Sequence, residues 1–73
     1  MDEYKKPTRK ELSPGVSVNI VRKIDQPTGK LTVGIIKKIL TSSPTHPHGI
    51  KVMLETGVVG RVQQIVAEMQ LLV

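Results

Sequence analysis

The stretch that decides the fold reads Lys30-Leu31-Thr32-Val33-Gly34-Ile35-Ile36-Lys37-Lys38-Ile39-Leu40. Its β-branched residues specify a long strand, and the single interior glycine, Gly34, predicts a sharp bend where another backbone comes close. The pattern recurs. From Val33 the chain runs apolar, Gly, one variable position, apolar, two long polar residues and two apolar ones; Val59-Gly60-Arg61-Val62-Gln63-Gln64-Ile65-Val66 repeats it. Two such ribbons, with bends expected at Gly34 and Gly60, point to a small β architecture.

Working outward, Val16 to Ile24 alternates, with Val16, Val18 and Ile20 on one face and Ser17 and Asn19 on the other, so it is expected to be the first strand. Asp25-Gln26-Pro27-Thr28-Gly29-Lys30 suits a type I turn with Pro27 at its second position and Gly29 left-handed after it. That turn pairs Gln26 with Lys30 and sets Ile20 opposite Ile36 and Arg22 opposite Gly34. After the long strand, Thr41 to Gly49 carries two prolines and small polar residues, which specify an exposed, stiff loop. Ile50, Val52 and Leu54 alternate as a third strand. A bulge at Gly57 after it pairs Leu54 with Val58, Val52 with Gly60 and Ile50 with Val62, keeping all of these on one face.

At the N-terminus, residues 1–7 are polar and expected to be mobile. Thr8 and Glu11 have capping-box spacing, which predicts one helical turn, with Leu12 plugging the core. At the other end, Gln63 to Val73 is expected to supply a short strand that returns to the first and removes both sheet edges. The segment beyond Glu68 is open between strand, helical turn and a region covered in an oligomer. The fold class is therefore mainly β: one SH3-like barrel over residues 8–73, of four or five antiparallel strands with a short N-terminal helical turn.

Composition narrows the function. At 73 residues the chain buries only roughly 60% of its unfolded surface, too little for an enzyme-sized cleft, and no enzymatic activity is expected. There is no cysteine, so neither disulfides nor thiolate zinc ligation supports the fold. No apolar run is long enough to span a membrane, and the opening Asp2, Glu3, Tyr4, Lys5 and Lys6 are unlike a signal peptide, so a cytoplasmic protein is expected. The net charge is +5, but residues 4–54 hold ten of the eleven basic residues and only Glu11 and Asp25 as acids, a surplus of eight. Such a body attracts polyanions over about one Debye length.

The Gly34 segment resembles the KOW motif of ribosomal proteins and transcription factors, in the spacing of Gly34, Ile36 and Ile39. A more specific likeness covers about residues 9 to 66. It is carried by Pro14-Gly15, Ile20-Val21, Asp25-Gln26, Thr28-Gly29-Lys30-Leu31-Thr32, His46-Pro47-His48-Gly49-Ile50-Lys51-Val52 and Gly60-Arg61-Val62-Gln63, and it is to the small YwbE-like proteins, a family without an assigned function. The resemblance implies a fold and a family and brings no active site with it.

Two constellations bear chemistry. His46 and His48 flank Pro47 in a basic loop, where imidazoles contact phosphate or shape an ordinary loop; with no cysteine and no acid beside them they fall short of a metal site. No spacing brings Ser42 or Ser43 together with a histidine and Asp25 or Glu55 as a triad, and no cofactor is expected. Lys30, Lys37, Lys38, Lys51 and Arg61 form the second constellation, expected to line one side of the barrel as a phosphate-contacting surface. A solvated lysine face is the bland alternative. The chain has neither Phe nor Trp and Tyr4 lies in the tail, so no aromatic platform exists to stack unpaired bases. The expected partner is structured RNA or a ribonucleoprotein, contacted through its backbone. The competing expectation is a protein partner or homodimer, using an outward apolar stripe of Val21, Val33 and Ile35 together with Met69, Leu71 and Leu72.

Overall fold

The computed structural model describes residues 6–66. The start of the tail and the final segment containing Met69, Leu71 and Leu72 lie outside the described residues. Four strands, β1 (Ser17–Val21), β2 (Thr32–Ile39), β3 (Lys51–Leu54) and β4 (Val59–Ile65), close into an antiparallel barrel in the order β1-β2-β3-β4. This is the expected mainly β, SH3-like barrel. The edge-sealing role expected of a further strand after β4 is filled by β4 itself, which pairs with β3 through Val59 to Arg61 and with β1 through Arg61 to Ile65.

The inward faces are set by alternation. Val18 and Ile20 of β1, Ile36 of β2, Val52 and Leu54 of β3 and Val62 of β4 are buried together with Ile50 and Leu12. Leu12 is the expected plug, at 4% exposure. It follows a 3-10 turn at Arg9–Glu11, where the Thr8 N–H donates to Glu11 Oε1 at 2.8 Å. The Arg9 N–H donates to the Pro44 carbonyl and its Nε to the Thr41 carbonyl, both at 2.9 Å, tying the N-terminal turn to the loop after β2.

The β3–β4 hairpin forms in the expected register. Val52 lies opposite Gly60, the Leu54 N–H donates to Val58 O, and the Val62 N–H donates to Ile50 O. Gly57 has φ +94°, which only glycine adopts without strain, and its N–H closes the turn on Leu54 O at 2.8 Å.

The β1–β2 hairpin departs from expectation. Strand β1 stops at Val21, and Lys23–Asp25 coil into a second 3-10 turn with Ile24 72% exposed. The Asp25 carbonyl accepts from the N–H groups of Thr28 and Gly29, and the Arg22 guanidinium clamps the Asp25 carboxylate at 2.9 Å. This longer connection replaces the tight turn and its Gln26–Lys30 pairing. Ile20 therefore lies opposite Thr32 rather than Ile36, and Gly34 opposite Val18 rather than Arg22. The shift is an even number of residues, so the inward set is unchanged.

Each repeated ribbon breaks its alternation at the two long polar residues, and the ladder explains why. Between Ile36 and Lys38 the β2–β3 register slips, so that Lys37 is extra; between Val62 and Gln64 the β4–β1 register slips in the same way at Gln63. A bulge absorbs one residue in each strand and returns the next apolar residue, Ile39 or Ile65, to its place in the ladder. The correspondence extends through the barrel. The pairs Val18–Gly34 and Asn19–Val33 match Val52–Gly60 and Met53–Val59, while Ile36–Leu54 and Ile39–Val52 match Val62–Ile20 and Ile65–Val18. The pairing of the whole barrel thus has an internal two-fold relation between its hairpins.

The two glycines of the repeat have different neighbours. A Cβ at Gly60 would stand 2.7 Å from the Val21 carbonyl oxygen, so here a second backbone does come close. At Gly34 the space is filled by the Leu54 side chain instead, and the register irregularity of β2 falls later, at Lys37. The backbone approach expected at Gly34 is corrected accordingly: a side chain, not a second backbone, takes the space.

Candidate functional site

On the outer face of the second hairpin, Lys51 and Arg61 are direct cross-strand partners, and Val21 of β1 lies opposite Arg61 on its other side. Val52 and Val62 point inward, so alternation sends Lys51 and Arg61 outward. The Arg61 Nη1 donates to the Gly49 carbonyl at 3.3 Å, which orients the guanidinium toward the end of the histidine loop. The 3-10 turn after β1 brings Lys23 and Gln26 to the same place. With Val59 and the Gly60 backbone they line a groove of about 430 Å³. A smaller groove, of about 230 Å³, is lined by Lys6, Gly29, His48 and Gln63 and shares Val21, Gln26 and Arg61 with the first. The two adjoin at Val21, Gln26 and Arg61 and together make one trench with two arms.

The trench is one-signed. Lys6, Lys23, Lys51 and Arg61 line it, and of the described carboxylates Glu11, Asp25 and Glu55 none does. Glu11 accepts from the Thr8 N–H, and Asp25 is 8% exposed and ion-paired with Arg22. At one end of the trench the His48 N–H donates to His46 Nδ1 at 3.1 Å, with the rings 5.7 Å apart, and Gln63 Nε2 donates to the His48 carbonyl. His46 is held below the ordinary imidazole value of 6.5 by its partial burial, then by the charge of Arg61, then by His48. The hydrogen bond acts in the same direction, since a proton on Nδ1 would remove the acceptor. Among the described residues no group of three or more histidines or acids is placed to hold a metal ion.

The internal two-fold supplies a control. The counterparts of Lys51 and Arg61 in the first hairpin are Ser17 and Ile35. The barrel therefore forms the same pairing without charge at these positions, and the cations of the second hairpin are not required by the ladder.

Of the residues singled out from the sequence, Lys51, Arg61 and His48 line the trench, and His46 is hydrogen-bonded to His48. Lys30, Lys37 and Lys38 do not line it. Lys37 is the extra residue of the β2 bulge and Lys38 pairs with Met53, so β3 lies between their strand and the strand of Arg61, and Lys30 sits exposed in the connection before β2. The expected single lysine-lined side is thus smaller than anticipated. Sequence reasoning missed Lys23 and Gln26, because the alternation through Ile24 suggested a continuing strand, and Lys6, because it falls in the polar N-terminal tail. The signal that was present is the i, i+3 spacing of Arg22 and Asp25, which favours a helical turn.

Residues 5–65 match the model of a family described as "Uncharacterized conserved protein (DUF2196)". The chain is also similar to "Uncharacterized protein YwbE" of Bacillus subtilis (strain 168), at 61% identity over 59 residues, covering 81% of this chain and 91% of that protein. No solved structure matches. Among the described residues no helix is long and apolar enough to cross a membrane.

Proposed function

This chain belongs to the DUF2196 family of uncharacterised conserved proteins, and from that premise we propose that it is a non-enzymatic binding module for structured RNA or a ribonucleoprotein, working in the cytoplasm. The observation that carries this reading is the trench at Arg61, which lysines from three parts of the chain line and no described carboxylate does. A concave surface of one sign raises the local concentration of a polyanion and holds its phosphates. Arg61 offers a planar fork suited to phosphate oxygens. With no Phe or Trp in the chain, stacking of unpaired bases contributes little, and contacts to the backbone dominate. The likeness of the Gly34 stretch to the KOW motif supports the same reading.

The test is fluorescence anisotropy of a labelled RNA hairpin at two salt concentrations, with wild type beside the double variant Lys51→Ser, Arg61→Ile. The affinity of wild type is expected to fall as salt rises, and the variant is expected to lose about 2 from the slope of log K against log salt, near 1 for each phosphate contact removed. An affinity indifferent to salt, or equal in the two proteins, would overturn the reading. A second reading, a protein partner or homodimer, is favoured by one observation: Leu31, Val33 and Ile35 present a stripe along the outer face of β2, with Val33 64% exposed. Light scattering that finds a stable dimer, dissociated by Val33→Lys, would favour that reading.

A further inference from the structure

The two arms of the trench differ in volume and in lining, and that difference narrows the ligand. The wider arm is lined by three cations, Lys23, Lys51 and Arg61, by the aliphatic side chains of Val21 and Val59, and by Gln26; Arg61 stands between its cross-strand neighbours Val21 and Lys51. Its volume of about 430 Å³ falls within the range of small-ligand clefts, which run from about 300 Å³ upward and combine apolar walls with a few convergent polar groups. A flat lysine face would attract phosphate without containing anything. This cleft contains room beside its cations for whatever carries the phosphate.

From this geometry we propose that the wider arm seats one ribose phosphate and does not read the base. The inference rests on the RNA-binding reading and goes beyond it, naming the unit recognised. The phosphate lies between Lys51 and Arg61, with Lys23 closing on it. The carbon edge of the ribose packs on Val21 and Val59, and Gln26, which both donates and accepts hydrogen bonds, meets a sugar hydroxyl. Base-independence is a consequence of the lining. Val21 and Val59 are small aliphatic side chains that offer no ring face to a base, and Gln26 is the only side-chain amide among the described residues lining this arm. A ribose phosphate reaches the cleft from two sources, a free sugar phosphate or a nucleotide within RNA, and the chemistry recognised is the same.

The experiment is a two-dimensional NMR titration of the full chain with ribose 5-phosphate, AMP, inorganic phosphate, adenosine and an RNA hairpin. Ribose 5-phosphate and AMP are expected to bind within about threefold of each other and to shift the amides of Val21, Gln26, Val59 and Arg61. Inorganic phosphate is expected to bind at least tenfold more weakly, and adenosine to leave the spectrum unchanged. Gln26→Ala, at an exposed position, is expected to weaken ribose 5-phosphate several-fold while leaving inorganic phosphate unaltered. Val59→Phe is expected to fill the cleft and abolish ribose 5-phosphate binding with the cations intact, its fold checked by the dispersion of the same spectra. AMP binding tenfold tighter than ribose 5-phosphate would overturn base-independence; inorganic phosphate binding as well as ribose 5-phosphate would overturn the sugar seat. RNA binding that falls with salt while ribose 5-phosphate shifts nothing would overturn this inference alone. Ribose 5-phosphate binding without RNA binding would overturn the RNA reading and leave a sugar-phosphate site.

Discussion

Gly60 packs against the backbone of β1, and its surroundings decide the cost of replacing it. An added Cβ would meet the Val21 carbonyl oxygen at 2.7 Å and Ile20 Cδ1 at 2.8 Å, and the first of these is backbone that moves only with its strand. Gly60→Ala is expected to destabilise the barrel by about 1–3 kcal/mol, the usual cost of overpacking. At Gly34→Ala the nearest atoms belong to the Leu54 side chain, which gives more readily than strand backbone, so its penalty is expected to be the smaller; urea denaturation of both variants checks the order. His46 supplies a second expectation at this scale. Positive Arg61 contributes to lowering its pKa, and an anion bound at Arg61 offsets that repulsion, so binding takes up a proton. Affinity for RNA should therefore rise as pH falls from about 7.5 to about 5.5, through the ordinary imidazole range. His46→Gln should flatten that rise, which binding curves across the range would reveal. In the free protein the sign is opposite: with the folded pKa depressed, the contribution of His46 to stability is present above the unfolded value and lost as pH falls below it.

Among the elements, the repeated ribbon and its bulge matter most. Ile36 and Ile39 belong to the inner set with two residues between them, which a regular strand cannot arrange because inward positions are two apart. The extra residue Lys37 resolves this. Deleting Lys37 is expected to turn Ile39 and its C-terminal neighbours to the other face and to lower stability by about 2 kcal/mol or more, the scale of one large aliphatic returned to water. Lys37→Ala keeps the residue count and is expected to cost less than about 0.5 kcal/mol, as exposed substitutions do. Thermal unfolding of the pair tests whether it is the residue or its side chain that is needed. This bulge was partly legible in the sequence. The run of two polar residues between apolar ones appears in both ribbons, but as a break in alternation whose meaning only the ladder supplies.

For the whole molecule, the internal two-fold separates the residues folding requires from those added to it. Ser17 and Ile35 hold the positions that Lys51 and Arg61 hold in the other hairpin. The double variant Lys51→Ser, Arg61→Ile thus borrows residues the barrel already accepts. Its stability is expected to stay within about 1 kcal/mol of wild type, the main loss being the long Arg61–Gly49 hydrogen bond, while its affinity for RNA falls. Chemical denaturation beside the binding titration would show the two effects apart. A loss of stability well above that scale would mean that Arg61 serves the fold rather than a ligand.

The sequence by itself determined the β architecture, the inward residues, the second hairpin and its Gly57 bulge, and Leu12 as plug, because alternation and turn chemistry are local and are written residue by residue. Tertiary structure alone decided the first hairpin's register and the site. Arg22 closing on Asp25 ended β1 early, and that turn carried Lys23 and Gln26 beside Arg61, a residue far along the chain. Which cations share a surface depends on how strands distant in sequence align, and a shift that leaves every inward residue in place leaves no trace in the hydrophobic pattern. The pattern was equally silent on Lys37 and Lys38, whose charge is plain in the sequence and whose strand is separated from that of Arg61 by β3.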